Sequence, residues 1–318
     1  CYHTIIGDYM KKLAFVFAGQ GSQYLGMGLD FVHEDLKIKK LSHLADDILG
    51  FQTEEMLISE LIHQTRYTQP LVLLSSIYAY EAVKTLGVTP DAVCGFSLGE
   101  YSAFYASSIF TFKEIVELIN MRALLMEEST KKHPGMMAAV IGLNVDQIQN
   151  LCQKVNHLYP ANFNSLVQTV ISGTEEAINQ AEVIAKELGA KRFIKLNVSG
   201  AFHSPLMKDA SASFEKLLQE YEPKETTCDV YLNTTGEKLH LPDLKKEMAK
   251  QIIEPVQFVK AIQNMKKDGI THIVEIGPGS VLSGLIRKID MDIEVTHIEK
   301  YADLPALKGW LQAHEFIK

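Results

Sequence analysis

Short, wholly apolar runs alternate along most of the chain with longer stretches whose apolar residues recur every three or four positions. Residues 13–18 are the first such run; it ends at glycines and reads as a buried strand, and residues 91–94 read as a second. Between them, residues 70–85 carry a helical pattern opening on Pro70, and residues 113–128 form a strongly periodic helix. Short strands apolar on both faces and separated by helices belong to a parallel sheet covered on both sides. The rhythm changes across residues 134–198, where strand 136–141, helix 145–155, strand 159–162, strand 167–171, helix 175–188 and strand 192–198 give the βαββαβ order of a ferredoxin-like unit. The first rhythm then resumes with strand 230–232, helix 255–267 and strand 271–276. The pattern predicts an α/β protein: one large domain over residues 10–133 and 199–318, interrupted by a small domain at 134–198. Residues 1–9 read as an extension outside the fold.

Composition narrows the class without naming a chemistry. With 318 residues, 47% hydrophobic and 22% charged, the chain can bury a large core without disulfides or metal. Its 31 basic and 39 acidic residues leave a net charge of −8 with no long basic run, which argues against a nucleic-acid partner. Cys1, Cys94, Cys152 and Cys228 lie far apart with no C-x-x-C pair, so reduced thiols and a cytoplasmic location are expected. Lys11-Lys12 and the apolar run after them resemble a signal peptide, but the run stops after six residues, short of the usual core of about 7–15. No apolar stretch approaches the roughly 18–20 residues that span a bilayer, so no membrane association is expected.

The strongest local signal is Gly95-Phe96-Ser97-Leu98-Gly99, after the strand 91–94 and before a helical stretch. G-x-S-x-G between a strand and a helix is a nucleophile elbow: glycines flank a strained serine, and the helix aims N–H groups at it. A serine hydroxyl needs a base. Of eleven histidines, His272 and His297 sit in strand patterns, and His43, His63 and His314 in polar helical ones. His203 follows the strand 192–198 in Gly200-Ala201-Phe202-His203-Ser204, where catalytic side chains are commonly presented. No Asp or Glu stands out as a third member.

Arg122 interrupts the apolar stripe Ile115, Leu118, Ile119, Leu125, Met126 of its helix. A guanidinium there needs an anion or strong acceptors. An internal salt bridge, an escape to water, or a substrate carboxylate held by bidentate hydrogen bonds would each serve. Gly19-Gln20-Gly21 and Gly277-Pro278-Gly279 invite a dinucleotide reading, but Tyr24 and Leu282 stand where the third glycine belongs. Both read as tight strand-end turns, and amides of the first can reach an oxyanion formed at Ser97.

These segments meet in one family. Phe15-Val16-Phe17-Ala18-Gly19-Gln20-Gly21-Ser22-Gln23, Gly95-Phe96-Ser97-Leu98-Gly99-Glu100-Tyr101-Ser102, Met121-Arg122, Gly200-Ala201-Phe202-His203-Ser204 and Glu275-Ile276-Gly277-Pro278-Gly279 resemble, in order and spacing, the malonyl-CoA:acyl carrier protein transacylases from Met10 to about Leu311. The resemblance implies an α/β-hydrolase-like large domain and a cytoplasmic monomer with no cofactor and no metal. It implies ping-pong malonyl transfer from malonyl-CoA to acyl carrier protein for fatty-acid synthesis. Ser97 is then the nucleophile and His203 its base, with Gln20 and Leu98 amides as the oxyanion hole. Arg122 holds the malonyl carboxylate, and Phe202 adds bulk near the acyl α-carbon, disfavouring methylmalonyl. A main-chain carbonyl within Glu254-Pro255-Val256-Gln257 orients the histidine, and Gln257 matches the family's active-site glutamine. The sequence departs from the family at Phe96, where many members have histidine, and at Asn164-Ser165-Leu166-Val167-Gln168, which replaces a segment often containing Pro-Gly. A polyketide acyltransferase, a serine hydrolase built on the same elbow and a non-enzymatic carrier-docking protein are the competing readings. An acidic carrier docking on a net-acidic chain calls for a local basic patch.

Overall fold

The computed structural model describes residues 11–198 and 200–318; the extension expected at residues 1–9 lies outside them. The strands, in chain order, are β1 (Lys12–Phe17), β2 (Ala92–Gly95), β3 (Met136–Ile141), β4 (Leu158–Ser165), β5 (Gln168–Gly173), β6 (Arg192–Lys195), β7 (Asp229–Tyr231), β8 (Ile270–Ile276) and β9 (Glu294–Ile298). Five make one sheet in the order β7-β2-β1-β8-β9, and every pairing in it is parallel. Alternate residues of β1 feed opposite cores: Leu13, Phe15 and Phe17 enter one cluster, and Ala14 and Val16 enter the other. Both clusters are closed by helices, which is why the strand is apolar at every position rather than at every second one.

The small antiparallel sheet runs β4-β5-β3-β6, the ferredoxin-like order expected from the pattern. Helices Val145–Lys154 and Glu175–Glu187 cover one face with a separate core of Ile148, Leu151, Ile178 and Ala181. Its other face turns toward the large sheet: Met137, Ala139 and Val170 join the main core. Backbone hydrogen bonds from Val256 to Ala161 and from Phe163 to Val256 stitch β4 to the chain beyond the small sheet. The segment 164–168 forms the β4–β5 turn, with Leu166 and Val167 exposed at its tip.

Three helical boundaries differ from expectation by three residues or more, among them the helix expected from residue 255, which starts at Phe258. The helix read as opening on Pro70 spans Thr65–Lys84, so Pro70 lies inside it. The first turn forms without help from proline, since Tyr67 and Thr68 N–H both donate to Gln64 O. The helix around Arg122 extends to Phe112–Lys132, its start fixed by a capping box between Thr111 and Glu114.

Candidate active site

Ser97 follows β2 and precedes helix Gly99–Ala106 with a φ of 53°, the left-handed region that costs a side-chain-bearing residue energy. The flanking glycines permit the turn, because a Cβ on Gly95 would overlap the backbone of Gly99, and one on Gly99 would overlap Phe17 O. Asn233 clamps the turn from outside: its Oδ1 accepts the Ser97 N–H at 2.7 Å and its Nδ2 donates to Gly95 O at 2.7 Å. The serine's own amide is thereby consumed. The Gln20 and Leu98 N–H groups, by contrast, have no hydrogen-bond acceptor among the described residues.

His203 reaches the same point, with a left-handed φ of 56° and 3% exposure. Its Nε2 lies 2.7 Å from Ser97 Oγ, and its Nδ1 lies 2.7 Å from Gln251 O. A carbonyl only accepts, so Nδ1 carries the proton and Nε2 is left to accept from the serine hydroxyl. Burial, with Arg122 nearby, pushes the imidazole down to about 4, so the ring is a neutral base at neutral pH.

Two backbone carbonyls act on the ring: Gln251 O, at 2.7 Å from Nδ1 and upstream of the segment 254–257 suggested by the family resemblance, and that of Glu254 within the segment. Helix Leu244–Lys250 has just ended at Gln251, and carbonyls past a helix end lack the next turn's N–H partner. Gln251 O therefore takes the imidazole, and Ile252 O accepts the His203 N–H at 3.1 Å. Gln257 is likewise displaced from the expected role. It precedes helix Phe258–Lys267, its N–H donates to Asn233 O, and it does not line the cavity. The glutamine at the centre is Gln251, fully buried, which no sequence signal singled out.

Arg122 is 1% exposed and lies beside Ser97, its NH2 3.4 Å from the hydroxyl Oγ. Besides Ser97 Oγ, its acceptors are two neutral side chains: Gln69 Oε1, and Gln251 Oε1 at 2.9 Å. Among the described residues it forms no salt bridge, and its Nε has no partner, so neither the internal ion pair nor the escape to water accounts for it. Gln69 stands out in hindsight as a polar residue wholly buried in an apolar helix.

Behind this group lies Glu100, 2% exposed in the first turn after the elbow. Burial pushes its carboxyl up, against hydrogen bonds from Asn233 and Gln251 and the charge of Arg122; both oxygens face N–H donors, an arrangement that only the carboxylate satisfies.

A cavity of about 260 Å³ opens over Ser97, His203 and Arg122. The large sheet's side supplies Gln20 and Phe96, and Phe202 joins His203 from the loop after the small sheet. Strands β4 and β5 contribute Asn162, Asn164 and Gln168. Phe96 packs edge-on against Phe258, ring centroids 5.4 Å apart, so the residue that departs from the family forms an apolar wall. No cluster of three or more His, Cys, Asp or Glu suited to a metal occurs among the described residues. No helix among them is long and apolar enough to cross a membrane, and Cys94, Cys152 and Cys228 are free thiols.

The chain is similar to known proteins over nearly its whole length. The sequence profile described as the acyl transferase domain matches residues 14–308. The malonyl CoA-acyl carrier protein transacylase of Bacillus subtilis (strain 168) is 37% identical over 289 residues, 88% of this chain and 91% of that one. The crystal structure of MCAT from Streptococcus pneumoniae superposes with a TM-score of 0.90 at 39% identity, covering 94% of this chain and 100% of that one. A type II PKS acyl-carrier protein in complex with its malonyl-transacylase also superposes, with a TM-score of 0.90 at 30% identity, over 94% of this chain and 99% of that one.

Proposed function

The chain belongs to the acyl transferase domain family, and on that premise we propose that it moves a malonyl group from malonyl-CoA to the phosphopantetheine thiol of an acyl carrier protein, in cytoplasmic fatty-acid synthesis. The observation that carries the reading is the buried, ion-pair-free guanidinium of Arg122 at 3.4 Å from a serine already hydrogen-bonded to a histidine. A nucleophile beside an uncommitted cation suits an acyl group that bears its own carboxylate.

Ser97 Oγ attacks the thioester carbonyl while its proton passes to His203 Nε2. Negative charge on the carbonyl oxygen falls to the free N–H groups of Gln20 and Leu98, since the Ser97 amide is held by Asn233. Collapse breaks the C–S bond, and the CoA thiolate leaves with the proton held by His203. The carrier thiol then gives its proton to the same nitrogen, attacks the malonyl ester and expels Ser97 Oγ, which regains that proton. Gln251 O keeps Nδ1 protonated throughout, doing for the imidazole what an acid does in a triad. Phe202 lines the cavity, where its bulk disfavours a branched α-carbon. The same reading divides the chain into a catalytic domain over residues 10–133 and 199–318 and a small domain at 134–198, with the cavity between them.

Mixing the protein with malonyl-CoA and recording its intact mass tests the reading. An increase of one malonyl group, absent in Ser97→Ala and discharged by holo acyl carrier protein, is expected. Release of free malonate without transfer to the thiol would instead make the protein a hydrolase. The relative solved with a polyketide carrier makes such a carrier the second acceptor to try.

A further inference from the structure

The Glu100 side chain touches neither the cavity nor the Ser97 hydroxyl, yet both its oxygens are engaged at the hub of the site. Oε1 accepts the Asn233 N–H at 2.6 Å, and Oε2 accepts Gln251 Nε2 at 2.7 Å. That second bond decides which way the Gln251 amide faces. With Nε2 turned to Glu100 and to Ser97 O at 2.8 Å, Oε1 is left toward Arg122 NH2 at 2.9 Å. A primary amide has one donating and one accepting end, so holding one end sets the other. All the groups involved are at least 97% buried apart from Ser97, so water does not offer a substitute partner.

We propose that Glu100 is a positioning residue for acyl-group selection: through the Gln251 amide it holds the Arg122 guanidinium in the orientation that receives the substrate carboxylate. This rests on the reading that Arg122 binds that carboxylate. The chain of acceptors reaches the guanidinium through a neutral amide rather than through a direct ion pair. Arg122 is thus oriented by the protein while its charge stays available to the substrate.

Glu100→Gln keeps the shape and removes one acceptor. The Asn233 backbone N–H is fixed, so the new side chain's oxygen stays with it and the new NH2 faces Gln251 Nε2, donor against donor. Relief comes by turning the Gln251 amide over, which sets its NH2 against Arg122 and leaves Ser97 O with the Glu100 backbone N–H alone.

The test compares the rates of Ser97 acylation by malonyl-CoA and by acetyl-CoA, which lacks the carboxylate, in wild type, Glu100→Gln and Arg122→Ala. In Glu100→Gln the malonyl-to-acetyl ratio should fall by about tenfold, the scale of one hydrogen bond to a charged group. An equal fall for both substrates, or an unchanged ratio, overturns the proposal, because a general structural defect does not distinguish the acyl groups. If Arg122→Ala itself leaves the ratio unchanged, the carboxylate-binding reading fails instead. Should Glu100→Gln not fold, Gln251→Leu cuts the same link while keeping the carbonyl on His203. An unchanged ratio in that variant overturns the proposal equally.

Discussion

Ser97 and His203 both hold left-handed backbone conformations that only glycine adopts freely, and their side chains meet at 2.7 Å. Such strain persists where the surroundings over-determine it, here through Asn233 on one side and Gln251 and Ile252 on the other. Burial and the Arg122 charge lower the histidine, so the neutral, accepting imidazole survives well below the ordinary value of 6.5. Acylation by malonyl-CoA should therefore stay level as the pH falls through 6.5 and be lost only as it approaches about 4. A single-turnover profile with its acid limb at the ordinary histidine value would count against this. If Arg122 holds the substrate carboxylate as proposed, Arg122→Ala should slow malonyl acylation by about 100–1,000-fold, with a smaller effect on acetyl-CoA, measured by the same single-turnover assay. Ser97, His203 and Arg122 were legible because each carries a local oddity: a strained motif, a strand-end histidine, a cation in an apolar stripe. Gln251 and Asn233 carry none. They bond to Ser97 across 154 and 136 residues of sequence, and only the folded backbone brings them there.

At the scale of elements, the elbow works because β1, β2 and the helix Gly99–Ala106 approach within backbone contact. Gly99→Ala should destabilise the protein by about 3 kcal/mol in urea unfolding, since the added methyl meets the Phe17 carbonyl, which cannot turn aside. Thr111→Ala removes the cap of the helix that carries Arg122 and should cost about 1 kcal/mol in the same measurement. Elements with clear periods were read to within a few residues, and β3 (Met136–Ile141) matched at both ends. Strand β9 was legible only as the pattern around His297, without bounds, because it is half exposed and sets Thr296 and His297 between its apolar residues. The early start of the Thr65–Lys84 helix escaped because its first turn is mostly polar and proline suggested a later one.

On the scale of the whole molecule, the cavity exists only because the small sheet is folded back over the elbow. A second groove beside it shares Gln20 and Val198 with the cavity and contains Lys131, which pairs with Glu127 at 3.2 Å on an exposed surface. With a net charge of −8, attraction to an acidic carrier has to come from such local positive charge. Lys131→Glu should weaken transfer to the carrier by several-fold while sparing acylation by malonyl-CoA, and the wild-type transfer rate should fall as salt rises. A salt-independent rate removes the idea. The amino-acid sequence by itself determined the α/β class, the order of elements, the strained G-x-S-x-G turn and the anomalous arginine, because apolar periodicity and backbone strain are written locally. Tertiary structure alone decided which carbonyls act on His203, which glutamine faces Arg122 and that no carboxylate among the described residues forms an ion pair with it. Those partners are chosen by the directions of buried donors and acceptors, which depend on how distant segments pack rather than on the residues beside them.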